Sequence, residues 1–99
     1  MHKETVVVNC RTDDYDTYIG RGSKWGNPFI MRNKSKHERD RVCDAYEAWF
    51  KTQPELVNSL SELIGKSLGC YCKPERCHGD FLAREANKIK IEENDNGEK

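Results

Sequence analysis

The chain has 99 residues, of which 35% are hydrophobic and 34% charged, which is enough sequence for one small domain with a modest core. Its 17 basic and 17 acidic side chains cancel, which argues against electrostatic binding of nucleic acid or membrane by the whole surface. The sequence has neither a membrane-spanning apolar run nor a signal peptide, so we expect a cytoplasmic protein with reduced thiols.

The first predicted elements are two short strands. Residues 5–9 form a β-branched run typical of a buried strand, and residues 17–19 are predicted as a second strand. Residues 20–29 follow as a glycine-rich loop. We expect Trp25 to anchor this loop in the core, with stacking on a base as the weaker alternative. Ser23 and Asn27 are expected either to bind a ligand or to stabilise turns.

The middle of the chain predicts two helices. A capping box of Ser35 and Glu38 opens the first helix, which runs to about Lys51. The second helix is predicted over residues 52–64, with Gly65 ending it. Residues 67–72 are predicted as a strand, so that Cys70 and Cys72 share one face.

A last helix is predicted from about Cys77 to Ile91. These elements predict a small α/β sandwich over residues 1–91, with a short and mostly parallel sheet and about three helices. The first strand and the strand of Cys70 are expected to be adjacent and parallel. Residues 92–99 are expected to be a disordered acidic tail.

The segment 70–80 concentrates the chemistry. It contains Cys70, Cys72, Cys77 and His78, and thiols and imidazole are the side chains that bind soft metals or act as nucleophile and base. In an open α/β sheet, ligands bind outside the carboxyl ends of the strands, where this segment is predicted to lie.

A basic stretch precedes this segment in the chain. Residues 20–41 carry seven basic side chains against two acidic ones, a net charge of +5. The stretch is interpreted either as a surface for phosphate groups or as a solvated loop and helix face.

Two motifs resemble one family of unknown activity. Residues 21–29 follow the pattern R-G-S/T-x-x-G-N-P-F/W/Y, and residues 65–82 follow G-x-x-L-x-C-x-C-x-P-x-x-C-H-x-D-x-L. With both motifs in order, the chain resembles domain of unknown function 4326, which occurs in bacteriophages and prokaryotes. The resemblance covers roughly residues 5–87 and implies a shared fold and site, with no established activity to carry over.

We expect a pocket for a phosphate-bearing, nucleotide-like small molecule at the strand carboxyl ends. Cys77 and His78 are the candidate nucleophile and base, and whether the protein is an enzyme is open. The candidate ligand-binding residues are Arg11, Arg21, Gly22, Ser23, Gly26, Asn27, Cys72 and Asp80.

Two other interpretations remain open. One is a zinc-stabilised module that binds a host or partner protein, although the cysteine spacing fits neither a finger nor a ribbon, and Cys77 and His78 diverge at a helix start. Cys10 is the candidate fourth ligand. The other is single-stranded nucleic acid binding through the basic stretch and Trp25, which the zero net charge disfavours. A homodimer through the helix face around Trp49 is also compatible with so small a core.

Overall fold

The computed structural model describes residues 4–97, with side chains through Ile89. The strands are β1 (Val6–Asn9), β2 (Thr17–Tyr18) and β3 (Ser67–Cys70). The helices are α1 (Lys36–Phe50), α2 (Pro54–Ser59) and α3 (His78–Gly97), with a 3₁₀ helix at Leu60–Leu63. The predicted small α/β domain is confirmed.

The three strands form one parallel sheet in the order β1-β3-β2. The register pairs Val6 with Ser67 and Asn9 with Cys70, which confirms the predicted neighbours. The prediction that the last strand continues to Cys72 is wrong. It ends at Cys70 because its partner β1 ends at Asn9 and turns away. The residues after Cys70 therefore have no neighbouring strand of β1 to pair with.

Helix α1 begins as the sequence predicts, but only half of the capping box forms. Ser35 Oγ accepts the N–H of Glu38 at 3.2 Å. The Glu38 carboxylate does not complete the box. It is buried and accepts bonds from the guanidinium groups of Arg32 and Arg41 instead. Two cations outweigh the single backbone N–H that a capping box would offer it.

The second predicted helix is two elements rather than one. Helix α2 ends at Ser59, and the chain tightens into the 3₁₀ helix that buries Leu60 and Leu63. Residues three apart lie on one side of a 3₁₀ helix, so this form directs both leucines into the core. The N-cap of α2 is Gln53 without a side-chain bond, and Gly65 follows with φ of +74°, as a helix end favours.

The core lies between the sheet and the helices. Helix α3 packs on β1 and β3, and α1 packs on α3. Gly79 lets the start of α3 approach the sheet closely, since a Cβ there would collide with Ile19 and lie 3.2 Å from Val7. The largest fully buried side chains are Tyr46, Phe50, Ile19, Leu63, Leu68 and Leu82.

Helix α3 is assigned through Gly97, beyond the predicted end near residue 91. Side chains after Ile89 lie outside the described residues, so the expected disordered tail over residues 92–99 stays a prediction. In the part of the chain that the structure describes, no helix has both the length and the apolar character needed to cross a membrane.

Candidate functional site

The carboxyl ends of the three parallel strands meet at one edge of the sheet. Cys10 and Arg11 follow β1, the glycine-rich loop follows β2, and Tyr71 and Cys72 follow β3. Helix α3 also begins near this edge, because His78 Nε2 lies 2.7 Å from the carbonyl oxygen of Ile19. The two sequence motifs therefore come together in space.

The glycine-rich loop is anchored by its tryptophan. Trp25 is 3% exposed and stacks on Phe50, with 6.3 Å between ring centroids. The hydroxyl of Tyr46 donates to the carbonyl of Trp25 at 2.8 Å. The prediction that Trp25 anchors in the core is confirmed, and its burial leaves no free face for a nucleic-acid base.

Three other predicted ligand-binding residues of this loop shape its turns. Ser23 Oγ donates to the carbonyl of Gly20 at 2.7 Å. A Cβ at Gly26 would lie 2.8 Å from the same carbonyl oxygen, so only glycine fits there without a shift of the backbone. Gly22 is exposed, with φ of +90°. None of the three lines the cavity that opens at this edge of the sheet.

Asn27 does line that cavity, and it also fixes the loop. Its amide nitrogen donates to the carbonyl of Val42 on α1 at 3.0 Å, and its amide oxygen accepts the N–H of Phe29 at 2.9 Å. The side chain thus joins the loop to the helix.

A cavity of about 430 Å³ opens at this edge of the sheet. Its wall is formed by the strand ends, the glycine-rich loop, helix α1 and the cysteine segment. The lining residues are Tyr18, Gly20, Arg21, Asn27, Phe29, Met31, Arg39, Val42, Cys43, Cys70, Tyr71, Cys72, Arg76, Cys77 and His78.

Three cysteine sulfurs converge at the cavity. The Sγ atoms of Cys70, Cys72 and Cys77 all lie within 4.8 Å of one another. Cys70 and Cys77 are buried and Cys72 is half-buried. Among the described residues, this is the one cluster of three or more potential ligands with the geometry for a metal ion. Cys10, the expected fourth ligand, is not part of it.

The three thiols share their protons unevenly. The adjacent thiol of Cys70, and then that of Cys77, lower the pKa of Cys72 well below its usual range, and the charge of Arg39 acts in the same direction. The pKa of Cys77 is raised, mainly by its hydrogen bonds with Cys70 and Cys72 and then by burial. Negative charge in the cluster therefore collects first on Cys72.

His78 is buried beside the cluster and held by the backbone. A carbonyl oxygen only accepts hydrogen bonds, so the contact with Ile19 assigns the ring proton to Nε2 and leaves Nδ1 as the acceptor. Nδ1 faces Cys77 Sγ at 3.6 Å. Burial lowers the pKa of His78, which favours the neutral ring.

Arg76 fastens the cysteine segment to helix α1. Its guanidinium contacts the carboxylates of Asp40, Asp44 and Glu47 at 3.1, 2.8 and 3.2 Å. Those acidic groups occupy successive turns of one helix face, so a single arginine bridges them. They also offset its positive charge.

Asp80 is also used within the segment. One carboxylate oxygen accepts the N–H of Cys77 at 3.1 Å, and the other pairs with Lys73 at 2.9 Å. Asp80 does not line the cavity, and neither does Arg11, whose guanidinium lies over the ring of Tyr71 at 4.9 Å. The predicted site residues that the cavity brings together are Arg21, Asn27, Cys72, Cys77 and His78.

The cavity also contains residues that sequence reasoning did not assign to a site. Arg39 is the most important of these, and Tyr18, Phe29 and Tyr71 supply aromatic surface. Helical spacing could have indicated Arg39. Val42, Cys43 and Tyr46 follow it at intervals of three, four and seven, which places all four residues on the same side of α1.

The structure thus defines a small α/β domain with a cysteine-lined cavity at the carboxyl edge of a parallel sheet. The chain belongs to the family described as domain of unknown function (DUF4326), which it matches over residues 5–88. It is similar to an uncharacterised 12.4 kDa protein in the nrdA-td intergenic region of Enterobacteria phage T4, with 34% identity over 87 residues. That match covers 84% of this chain and 78% of the relative. No solved structure matches the chain.

Proposed function

We propose that the protein is a cytoplasmic small-molecule-binding protein whose cavity takes a phosphate-bearing, nucleotide-like ligand. The observation that carries this proposal is that two arginines of the cavity lack a carboxylate partner. Arg21 and Arg39 both line the cavity, and within the described part of the chain neither is paired with a carboxylate. Arg39 donates a hydrogen bond to the carbonyl of Arg76 at 3.4 Å, so an anionic ligand would supply the charged partner that both guanidinium groups lack.

The pairing of neighbouring cations supports the selection of these two. In the same basic stretch, Arg32 and Arg41 contact Glu38, Lys24 contacts Glu62, and Lys36 contacts Asp40. Acidic side chains are therefore available along this surface. Among the described residues, no aspartate or glutamate lines the cavity with Arg21 and Arg39.

Aromatic side chains supply the second part of the proposed recognition. Tyr71 is 55% exposed, lines the cavity and meets Tyr18 edge to face, with ring centroids 6.1 Å apart. Phe29 adds a third ring to the wall. A flat heterocycle can pack against these rings, on the side of Tyr71 that the Arg11 guanidinium does not cover, while its phosphate reaches the guanidinium groups.

Binding is supported better than turnover. The predicted nucleophile Cys77 is 2% exposed, and its raised pKa disfavours the reactive thiolate. The predicted base His78 is likewise buried and bonded to Ile19. Their catalytic assignment stays a prediction.

Thermal unfolding with a panel of nucleoside 5′-monophosphates tests the proposal. Inorganic phosphate and the corresponding nucleosides are tested separately, because they show how much the phosphate and the nucleoside each contribute to binding. A ligand at about a hundred times its Kd stabilises a fold by ~2.7 kcal/mol. We expect at least one nucleotide to raise the melting temperature of the wild-type protein, and phosphate alone to raise it less.

Arg21→Ala and Arg39→Ala are expected to reduce that shift. Lys24→Ala is the matched control, because Lys24 belongs to the same loop but pairs with Glu62 outside the cavity. An equal shift in all three variants, or no shift with any nucleotide or phosphate, contradicts the proposal.

The second candidate is a zinc-stabilised interaction module that binds a host or partner protein. The three convergent cysteines favour it. In that case a chelator would abolish partner binding and unfold the domain, and no nucleotide would raise the melting temperature of the wild-type protein. A homodimer through the face of α1 around Trp49 stays a separate prediction.

A further inference from the structure

We infer that Cys70, Cys72 and Cys77 bind one zinc ion whose fourth coordination position faces the cavity. The inference rests on three sulfur atoms, whereas the proposed function rests on two arginines. Its functional part, a metal that contacts the bound ligand, does rest on the proposed function. Both proposals concern the same cavity, but metal affinity tests one and the melting shift with nucleotide tests the other.

The sulfur separations fit a single ion. A tetrahedral zinc with Zn–S bonds of about 2.3 Å places its sulfur ligands about 3.8 Å apart. The three Sγ atoms already lie within 4.8 Å of one another, so closure around an ion needs shifts of an ångström or less. Cys72 follows the end of β3 and is half-buried, so its side chain is the one placed to move.

The chemistry of the three donors selects the metal. Thiolates favour zinc, copper(I) and iron–sulfur clusters over magnesium or calcium. One compact trio of sulfurs fits a mononuclear centre. Of the mononuclear choices, zinc is the ion that takes four tetrahedral ligands without redox chemistry.

The surrounding groups leave the fourth position open. His78 Nε2 is bonded to Ile19, and its Nδ1 does not fall within the cluster of mutually close ligand atoms. The Asp80 carboxylate is occupied by the Cys77 amide and Lys73. Cys70, Cys72 and Cys77 all line the cavity, so the remaining ligand is expected to be water or a donor atom of the bound molecule.

The local charges suit a metal thiolate centre. Three thiolates and one divalent ion carry one net negative charge, and the guanidinium of Arg39 in the cavity wall would offset it. The amide N–H of Gly79 donates to Cys77 Sγ at 3.3 Å. Such outer contacts orient the ligands of a metal site and tune its affinity.

Competitive titration with zinc and with cobalt(II) tests the inference. The metal-free full chain is titrated against a chromophoric chelator, and the cobalt form is followed by its visible and thiolate charge-transfer absorption. We expect one ion per chain and a tetrahedral cobalt spectrum. Loss of contacts outside the first ligand shell already costs up to about 100-fold in affinity, so Cys72→Ser should lose more than that.

Cys10→Ser is the matched control, because Cys10 is also half-buried but lies outside the trio. Cys72 is chosen because the buried Cys70 and Cys77 also support the core. Equal zinc affinity in Cys72→Ser and Cys10→Ser would overturn the inference, as would the absence of metal binding in the wild type. An open position is further expected to let added imidazole shift the cobalt bands, and unchanged bands would overturn that part.

The arginine variants separate the two proposals. Arg21→Ala is expected to keep its zinc while losing its response to nucleotide. If Cys72→Ser kept its response to nucleotide, ligand binding would depend on the arginines and not on the metal. Zinc binding without any nucleotide response would leave the metal site standing and remove the proposed ligand.

Discussion

The amide of Gly79 donates a hydrogen bond to the sulfur of Cys77 across 3.3 Å. This contact joins the helix start to the cysteine cluster at a position where a Cβ would collide with Ile19 and crowd Val7, so glycine allows the close packing there. This backbone N–H lowers the pKa of Cys77, although the neighbouring thiols and burial raise it on balance. The close packing of α3 on the sheet thereby also prepares a metal ligand.

The order of thiol reactivity is a direct consequence of the cluster. In metal-free protein at pH 7 we expect iodoacetamide to modify Cys72 first, because the neighbouring thiols of Cys70 and Cys77 lower the pKa of Cys72 well below its usual range. Cys43 should react far more slowly, since burial raises its pKa to about 11. Peptide mass spectrometry during the reaction gives the order. Faster modification of Cys77 would restore it as the candidate nucleophile.

Removal of the Tyr46 hydroxyl should weaken the anchor of the glycine-rich loop. Tyr46 is fully buried and donates to the Trp25 carbonyl, so Tyr46→Phe leaves that oxygen without its partner. We expect a loss of about 1 kcal/mol in unfolding free energy, or about 4–8 °C in melting temperature. Tyr15→Phe is the control, because Tyr15 is 45% exposed. Equal effects in chemical denaturation would show that the loop does not depend on this bond.

Arg76 is expected to contribute more to stability than a typical surface arginine. It joins three carboxylates of α1 to the cysteine segment, so Arg76→Ala should cost about 1–2 kcal/mol after allowance for its partial exposure. Arg84→Ala, at a more exposed pair with Glu47, should cost less than about 0.5 kcal/mol. Urea unfolding compares the two variants. A larger loss for Arg84 would contradict the assigned role of Arg76.

Glu38 makes the fold sensitive to acid. Hydrogen bonds from Arg41 and then Arg32 lower its pKa far below the usual range. A glutamate in the unfolded chain titrates near pH 4.3, so in acid the unfolded state binds the proton more readily than the folded state. The stabilisation is therefore complete at neutral pH and decreases as the pH falls below about 5.

Thermal melting from pH 7 to pH 3 measures this effect. We expect Glu38→Gln to lower the melting temperature at pH 7 and to flatten its decrease in acid. Glu62→Gln is the control, because Glu62 pairs with Lys24 at an exposed position. If Glu38→Gln kept the wild-type pH profile, another group would be responsible.

The fold follows from local patterns to a large extent. The β-branched run of β1, the cap at Ser35 and the apolar spacing of α1 and α3 are short-range signals, and the structure confirms those elements. Strand β3 was predicted two residues too long because its end depends on where its partner turns. The 3₁₀ helix after α2 was missed because apolar residues at 60 and 63 fit either helix type.

The sequence indicated where the candidate site lies but not which side chains line it. Clustering of Cys70, Cys72 and Cys77 within one segment indicated the place. Which arginines stay unpaired depends on distant contacts, such as that of Arg76 with Asp40. For this reason Arg39 was missed, and Arg11 and Asp80 were assigned to a cavity that neither lines.

Zinc K-edge X-ray absorption of protein purified without chelator or metal-affinity resin tests the metal centre most directly. We expect about one zinc per chain, with three sulfur neighbours at about 2.3 Å and one nitrogen or oxygen neighbour at about 2.0–2.1 Å. Four sulfur neighbours would mean a closed structural site, and the absence of zinc or fewer than three sulfurs would mean that the trio is a packing cluster. Either result would contradict an open zinc site at the floor of the cavity.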